Sequence, residues 1–229
     1  MKLLTFDTAT TGCSAAILAD GRIVAHRAAA MARGQSEALM PMIEEVMAEA
    51  GASFADLDAL AVTIGPGAFT GLRIGLATAR GLALALNIPC AGVTTLEAVA
   101  GAVPEAARRG RRLLVALDSK RDDLYVQMFG PDLAPLGAPA ALMPEALAGL
   151  AEGNAPLLVA GDAAARAVAA LADRGIAAEA ADASGLPDAA QVARIAAGRP
   201  LPPAGHPPSP VYLRPPDAVA ARNGGRLRP

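Results

Sequence analysis

Residues 65–86 read GPGAFTGLRIGLATARGLALAL, a glycine-rich turn running into an apolar helix. Glycines ahead of a helix can form a phosphate-binding loop. A Walker-type loop needs a lysine and a hydroxyl after its second outer glycine. This stretch has neither there, and its first cation is Arg73, two residues past Gly71. Its regularity is of another kind. Gly67, Gly71, Gly75, Ala79 and Ala83 recur every four residues, which stacks them along one gently drifting stripe of a helix. A stripe without bulky side chains lets a neighbour approach closely. Each glycine inside a helix costs roughly 1 kcal/mol relative to alanine, so a compensating contact is expected. That contact is either internal packing or a subunit interface, and Leu72, Ile74 and Leu76, which flank the stripe, suit both.

The rest of the chain places this helix in a repeated α/β scheme. Lys2 to Thr8, Ser14 to Ala19 and Arg22 to Ala28 read as three strands, the last two joined by Asp20-Gly21, a strong hairpin pair. Leu39, Met42, Ile43, Val46 and Met47 recur at helical spacing. Ser36 is the expected N-cap, and Pro41 either starts or bends this helix. A strand over 59–64 leads into the glycine-rich turn, whose helix ends at Asn87 and Pro89. A strand over 89–93 and a helix from Leu96 to about Arg109, interrupted at Pro104, follow. The order then restarts. Strands cover 113–119, 124–129 and about 135–142. A helix over 145–151, a strand over 156–160 and a helix over 163–174 complete the second half. A last helix spans about 188–197. Residues 199–216, RPLPPAGHPPSPVYLRPP, are too proline-rich for regular structure beyond an extended piece at 211–213, and the terminal NGGRLRP is expected to be mobile. The fold class is α/β, with two lobes of like order, each a mixed sheet flanked by helices. The expected division is 1–110, 111–187, and a segment 188–229 returning to the first lobe.

Composition narrows the function. Of 229 residues, 53% are hydrophobic and 3% aromatic, so the core is built from aliphatic side chains. A net charge of -2 gives no basic field for nucleic acid. Cys13 and Cys90 are the only cysteines, which points to a reducing, cytoplasmic setting. No run of about 20 apolar residues escapes a glycine, proline or charge, so no membrane span is expected.

Among polar residues, those of Asp7-Thr8-Ala9-Thr10 close the first strand. They could face phosphates or a metal ion, or equally satisfy the turn that follows. Asp118 holds the matching place in the second half. With Asp122 and Asp123 it could hold Mg²⁺ or form a solvated turn. His26 and His206 are isolated, and no nucleophile elbow or metal-ligand spacing appears.

Six stretches together resemble the TsaB (YeaZ) family: DTATTGCSAAI at 7–17, QSEALMPMI at 35–43, GPGAFTGLRIGLATARGLAL at 65–84, AGVTTLEA at 91–98, ALDSKRDDLY at 116–125 and PVYLR at 210–214. The resemblance implies an actin-like (ASKHA, RNase H-like) fold. It also implies a non-catalytic subunit of the machinery that makes threonylcarbamoyladenosine in tRNA, with no cofactor of its own. Such a subunit binds and activates the catalytic relative TsaD. The pair recruits the ATPase TsaE, tRNA is met only through the complex, and the chain alone forms a homodimer. TsaD carries a metal-binding HxxxH, and Thr95 and Val99 stand at the matching positions here. By the same resemblance the two N-terminal helices form the interface, through Leu39, Met42, Ile43, Val46, Gly67, Gly71, Leu72, Ile74, Gly75, Ala79 and Ala83. Asp7, Thr8 and Asp118 become remnants of a nucleotide site. Gln35 departs from the family, whose members often have histidine there. The rival readings are an actin-fold ATPase or kinase, a metallopeptidase, and a homodimeric binding module.

Overall fold

The computed structural model describes residues 1–151 and 156–214, so the expectation for the terminal NGGRLRP lies outside the described residues. The first lobe opens with strands β1 (Lys2–Asp7), β2 (Gly12–Ala19) and β3 (Arg22–Ala30). Asp20 and Gly21 join the last two with φ of 50° and 76°, the positive pair that a tight hairpin requires. Helix α1 (Gln35–Glu49), strand β4 (Ala59–Thr63), helix α2 (Phe69–Leu86), strand β5 (Cys90–Val93) and helices α3 (Thr95–Ala102) and α4 (Glu105–Arg108) follow. The sheet order is β3-β2-β1-β4-β5. The pairs β1–β2 and β2–β3 are antiparallel, and β1–β4 and β4–β5 are parallel.

The second lobe repeats this plan with β6 (Arg112–Asp118), β7 (Leu124–Phe129), β8 (Ala140–Leu142), β9 (Leu157–Ala160), helix α5 (Ala164–Ala172) and β10 (Ala178–Ala180). Its order, β10-β9-β6-β7-β8, is that of the first sheet strand for strand. Three local expectations change. The strand expected from residue 135 shrinks to Ala140–Leu142, with only an isolated bridge between Phe129 and Pro135. The helix expected at 145–151 is a 3-10 helix, Pro144–Leu150. In α1, Ser36 lies inside the helix and bonds Glu37. The cap position is Gly34, whose φ of 96° turns the chain into the helix, and Pro41 is accommodated within it.

Strand alternation divides the first lobe's core in two. Leu4, Phe6 and Ile17 point to α1 and α2, meeting Leu39, Ile43, Val46, Leu76 and Ala79. Leu3, Leu18, Ala59 and Ala61 point the other way, onto α3 and the last helix, α6 (Ala189–Ala197). The chain's late helix is thus bonded into the early sheet. Thr5 Oγ1 donates to the Ala189 carbonyl at 2.7 Å, and the Ala189 amide donates to Ser14 Oγ at 2.9 Å.

Asp188 fixes where α6 starts. One carboxylate oxygen accepts from the Ala190 amide at 2.7 Å and the other meets His26 Nε2 at 2.9 Å. Asp188→Ala is expected to cost about 1–2 kcal/mol through the lost cap and pairing, read as a lower thermal midpoint. His26→Ala should cost less, because the cap survives.

Candidate docking face and inter-lobe cleft

Helix α2 has one side made for backbone contact. A Cβ on Gly67 would lie well inside contact distance of the Ala9 carbonyl, and one on Gly71 would do the same at the Thr8 carbonyl. At Gly75 it would meet Thr8 Oγ1 at 2.8 Å and Val62 at 3.3 Å. The compensating contact for the glycines is therefore the turn after β1 in the same chain. Thr8 Oγ1 completes it by donating to the Gly71 carbonyl at 2.7 Å, and the Ala68 amide donates to the Ala9 carbonyl at 2.7 Å.

This geometry corrects the expectation that the stripe itself faces a partner. Gly71, Leu72, Gly75, Ala79 and Ala83 are buried in the lobe, as are Leu39, Ile43 and Val46 on α1. Gly67, Met42 and Ile74 are half-buried. Their packing partners are β1, β2 and β4, whose apolar faces need both helices for cover.

The outward side of the two helices is different. Leu84 of α2 is 84% exposed and Phe69 51%, and Met40 of α1 is exposed as well. The Arg73 guanidinium stacks on the Phe69 ring at 3.7 Å, and Phe69 lies 5.9 Å from the ring of Tyr212. Exposed glutamates 37, 44, 45 and 49 mark α1, while exposed Arg73 and Arg80 mark α2. Helix α2 is long and apolar enough to cross a membrane by length and composition alone. Its buried inner face, packed on β4, marks it as a core helix.

A cleft of about 450 Å³ lies between the lobes. Thr10, Arg33, Ser36 and Thr70 line it from the first lobe, and Asp118, Ser119, Lys120 and Asp162 from the second. Asp118 is where the sequence places it, at the end of β6. Burial works against its charge, but Lys120, at 2.8 Å, outweighs burial and holds the carboxyl below its usual range. Asp162 shows the opposite balance. Burial raises its affinity for a proton, although its Oδ1 accepts the Asp118 amide at 2.8 Å. Asp123 points elsewhere, bonded by Ser119 and paired with Arg214.

Asp7 and Thr8 do not line the cleft. Asp7 is wholly buried, with Oδ1 accepting from Thr63 Oγ1 at 2.5 Å and the Ala9 amide at 3.1 Å. Its Oδ2 has no hydrogen-bond partner among the described residues, and burial pushes its pKa up to about 7. Of the two readings of this motif, the structure shows Asp7 satisfying the turn backbone through the Ala9 amide. Thr10, the last residue of that motif, does line the cleft. Lys120 is a cleft residue that sequence reading passed over, because it looked like turn solvation.

Thr95 and Val99, at the positions matching the histidine pair, are buried. Thr94 caps α3, with its Oγ1 accepting the Glu97 amide while Glu97 reaches back to the Thr94 amide. Burial pushes the Cys13 and Cys90 thiols up to about 11 and 12, which leaves both inert at neutral pH.

Two five-stranded mixed sheets of one topology, flanked by helices and facing each other across a cleft, define an actin-like, ATPase-type fold. Known proteins agree. A solved Pseudomonas aeruginosa structure, described as an uncharacterized protein with similarity to peptidase YEAZ, superposes with a TM-score of 0.77 and 31% identity. The match covers 93% of this chain and 99% of that one. YeaZ from the same organism gives 0.74 and 30% over the same shares. The tRNA threonylcarbamoyladenosine biosynthesis protein TsaB of Escherichia coli K12 is 39% identical over 128 residues, 55% of this chain and 53% of the relative. TsaB of Haemophilus influenzae is 34% identical over 125 residues, 55% and 52% of the two chains. The chain thus spans about half the length of the curated relatives it matches. The family profile described as "TsaD: tRNA N6-adenosine threonylcarbamoyltransferase" matches residues 23–197. The chain belongs to this family and, within it, to the TsaB/YeaZ branch.

Proposed function

We propose that this protein is a non-catalytic subunit in the synthesis of threonylcarbamoyladenosine in tRNA, binding and activating a TsaD partner. The observation that carries the reading is 31% identity across 99% of a YeaZ-like chain, with one and the same fold. Buried Thr95 and Val99, in place of a histidine pair, support a subunit without its own metal chemistry. TsaE joins through the pair, and tRNA is met only in the complex.

The docking surface we propose is the outward face of α1 and α2, not the glycine stripe. Leu84, Phe69 and Met40 supply apolar anchors, and the exposed glutamates of α1 and arginines of α2 supply charged groups for orientation.

Leu84→Asp tests this. Leu84 is almost fully exposed, so the variant keeps its fold. It is expected to weaken TsaD binding about tenfold or more by calorimetry, the loss typical of an interface anchor. Unchanged affinity would remove α2's outer face from the interface. An actin-fold ATPase is the second reading, favoured by the polar cleft at Asp118 and Lys120. ATP turnover by the isolated chain, lost in Lys120→Ala, would establish it instead.

A further inference from the structure

The proline-rich segment after α6 belongs to neither sheet, yet it is bonded along its length. Arg80 donates to the Pro208 carbonyl at 2.9 Å, and Pro208 packs over the edge strand at Gly92. The Val211 amide donates to the Ile64 carbonyl at 2.7 Å. The Tyr212 hydroxyl accepts from Arg73 Nε at 3.5 Å. All of these anchors lie in the first lobe. Two residues later the attachment changes sides. Arg214 pairs with Asp123, reaches Ser119 Oγ at 3.4 Å, and stacks over the Tyr125 ring at 5.7 Å. Those three residues lie in or beside the β6–β7 turn of the second lobe, and Ser119 also lines the cleft.

We propose that residues 208–214 are a latch that sets the opening of the inter-lobe cleft, with the Arg214–Asp123 pair as its catch. The pair is mostly buried, with 24% and 14% of the side chains exposed, so it is screened little by salt and resists random opening. Losing one partner leaves the other charge stranded in a poor solvent. The strap behind it is short and proline-rich, so little slack separates the first-lobe anchors from the catch. Opening the catch therefore frees the β6–β7 turn, and with it Asp118, Ser119 and Lys120 on one wall of the cleft. The inference stands on the isolated chain and does not depend on any partner.

Paired spin labels at Ala48→Cys on α1 and Ala172→Cys on α5, both exposed, report the lobe separation. Cys13 and Cys90 are buried and stay unlabelled. The expected result is a single narrow distance distribution in the otherwise unaltered chain. Arg214→Ala and, separately, Asp123→Asn should broaden it by several-fold in width, while Arg214→Lys keeps it narrow. One catch variant lies on the strap and the other in the β6–β7 turn, so a folding defect in one leaves the other to decide. Distributions as narrow as the parent's in both would overturn the latch. Broadening in only one properly folded catch variant would overturn the ion pair as its catch.

Discussion

Gly71→Ala is expected to lower the unfolding free energy by about 3 kcal/mol, the upper range for forcing one methyl group into a closed site. The new Cβ would collide with the Thr8 carbonyl, which is main chain at the end of a central strand and cannot rotate away. Gly81→Ala, ten residues along the same helix, has open space around its Cβ. There alanine simply improves helix propensity and should raise stability by up to about 1 kcal/mol. Urea unfolding of the two variants gives opposite shifts of midpoint if the stripe is packing against its own chain. A neutral Gly71→Ala would mean that α2 can ride outward from β1 at no cost. For the same reason Gly75→Leu is a poor probe of the docking face, because it would disrupt the lobe before reaching any partner.

The second large effect is on pH. Asp7 is buried with one oxygen unpartnered among the described residues, and burial raises its pKa to about 7 from 3.8. The Thr63 and Ala9 hydrogen bonds pull the other way without compensating. An acid whose folded pKa is raised binds its proton more tightly in the folded chain. The contribution of Asp7 to stability should then be highest below about pH 4, fall as pH rises towards 7, and level off above. The gap corresponds to about 4 kcal/mol at most. Asp7→Asn keeps an oxygen to accept the Thr63 and Ala9 bonds and removes the ionisation. It is expected to flatten this slope and to be more stable than the parent at pH 8. Chemical denaturation of both proteins across pH 4 to 8 measures the difference directly, and parallel curves would show that Asp7 carries no such penalty.

The strand and helix order could be read from the chain because apolar periodicity and turn chemistry agree in both halves. Asp20-Gly21 marks one hairpin, and Asn87, with φ of 53°, ends α2. The strand Ala178–Ala180 escaped notice because Ala-Glu-Ala has no β-branched or aromatic residue to signal it. The small-residue spacing in α2 correctly announced a close approach but not its direction. A glycine stripe looks the same whether a strand end or a second protein covers it. Polarity could not decide, since Leu84 and Phe69 make the outer side apolar as well. The capping of α1 failed for a local reason. Ser36 has the right chemistry, but Gly34 makes the turn two residues earlier. The cleft was legible only at Thr10 and Asp118, because the rest of the first-lobe wall gathers Arg33, Ser36 and Thr70 from separate loops and helix starts.

The placement of α6 has a consequence for how the protein emerges from the ribosome. Residues 1–110 contain every strand of the first sheet and both helices of one face. The other face, with Leu3, Leu18, Ala59 and Ala61, is closed by Val192, Ala193 and Ala196. At 5–20 residues per second, a typical synthesis rate, that face waits several seconds for its cover. The second lobe, formed from the chain made in between, can close before the first does. A nascent chain stalled before residue 188 should therefore present a sticky, half-dressed sheet to chaperones, although most of its secondary structure has already been synthesised.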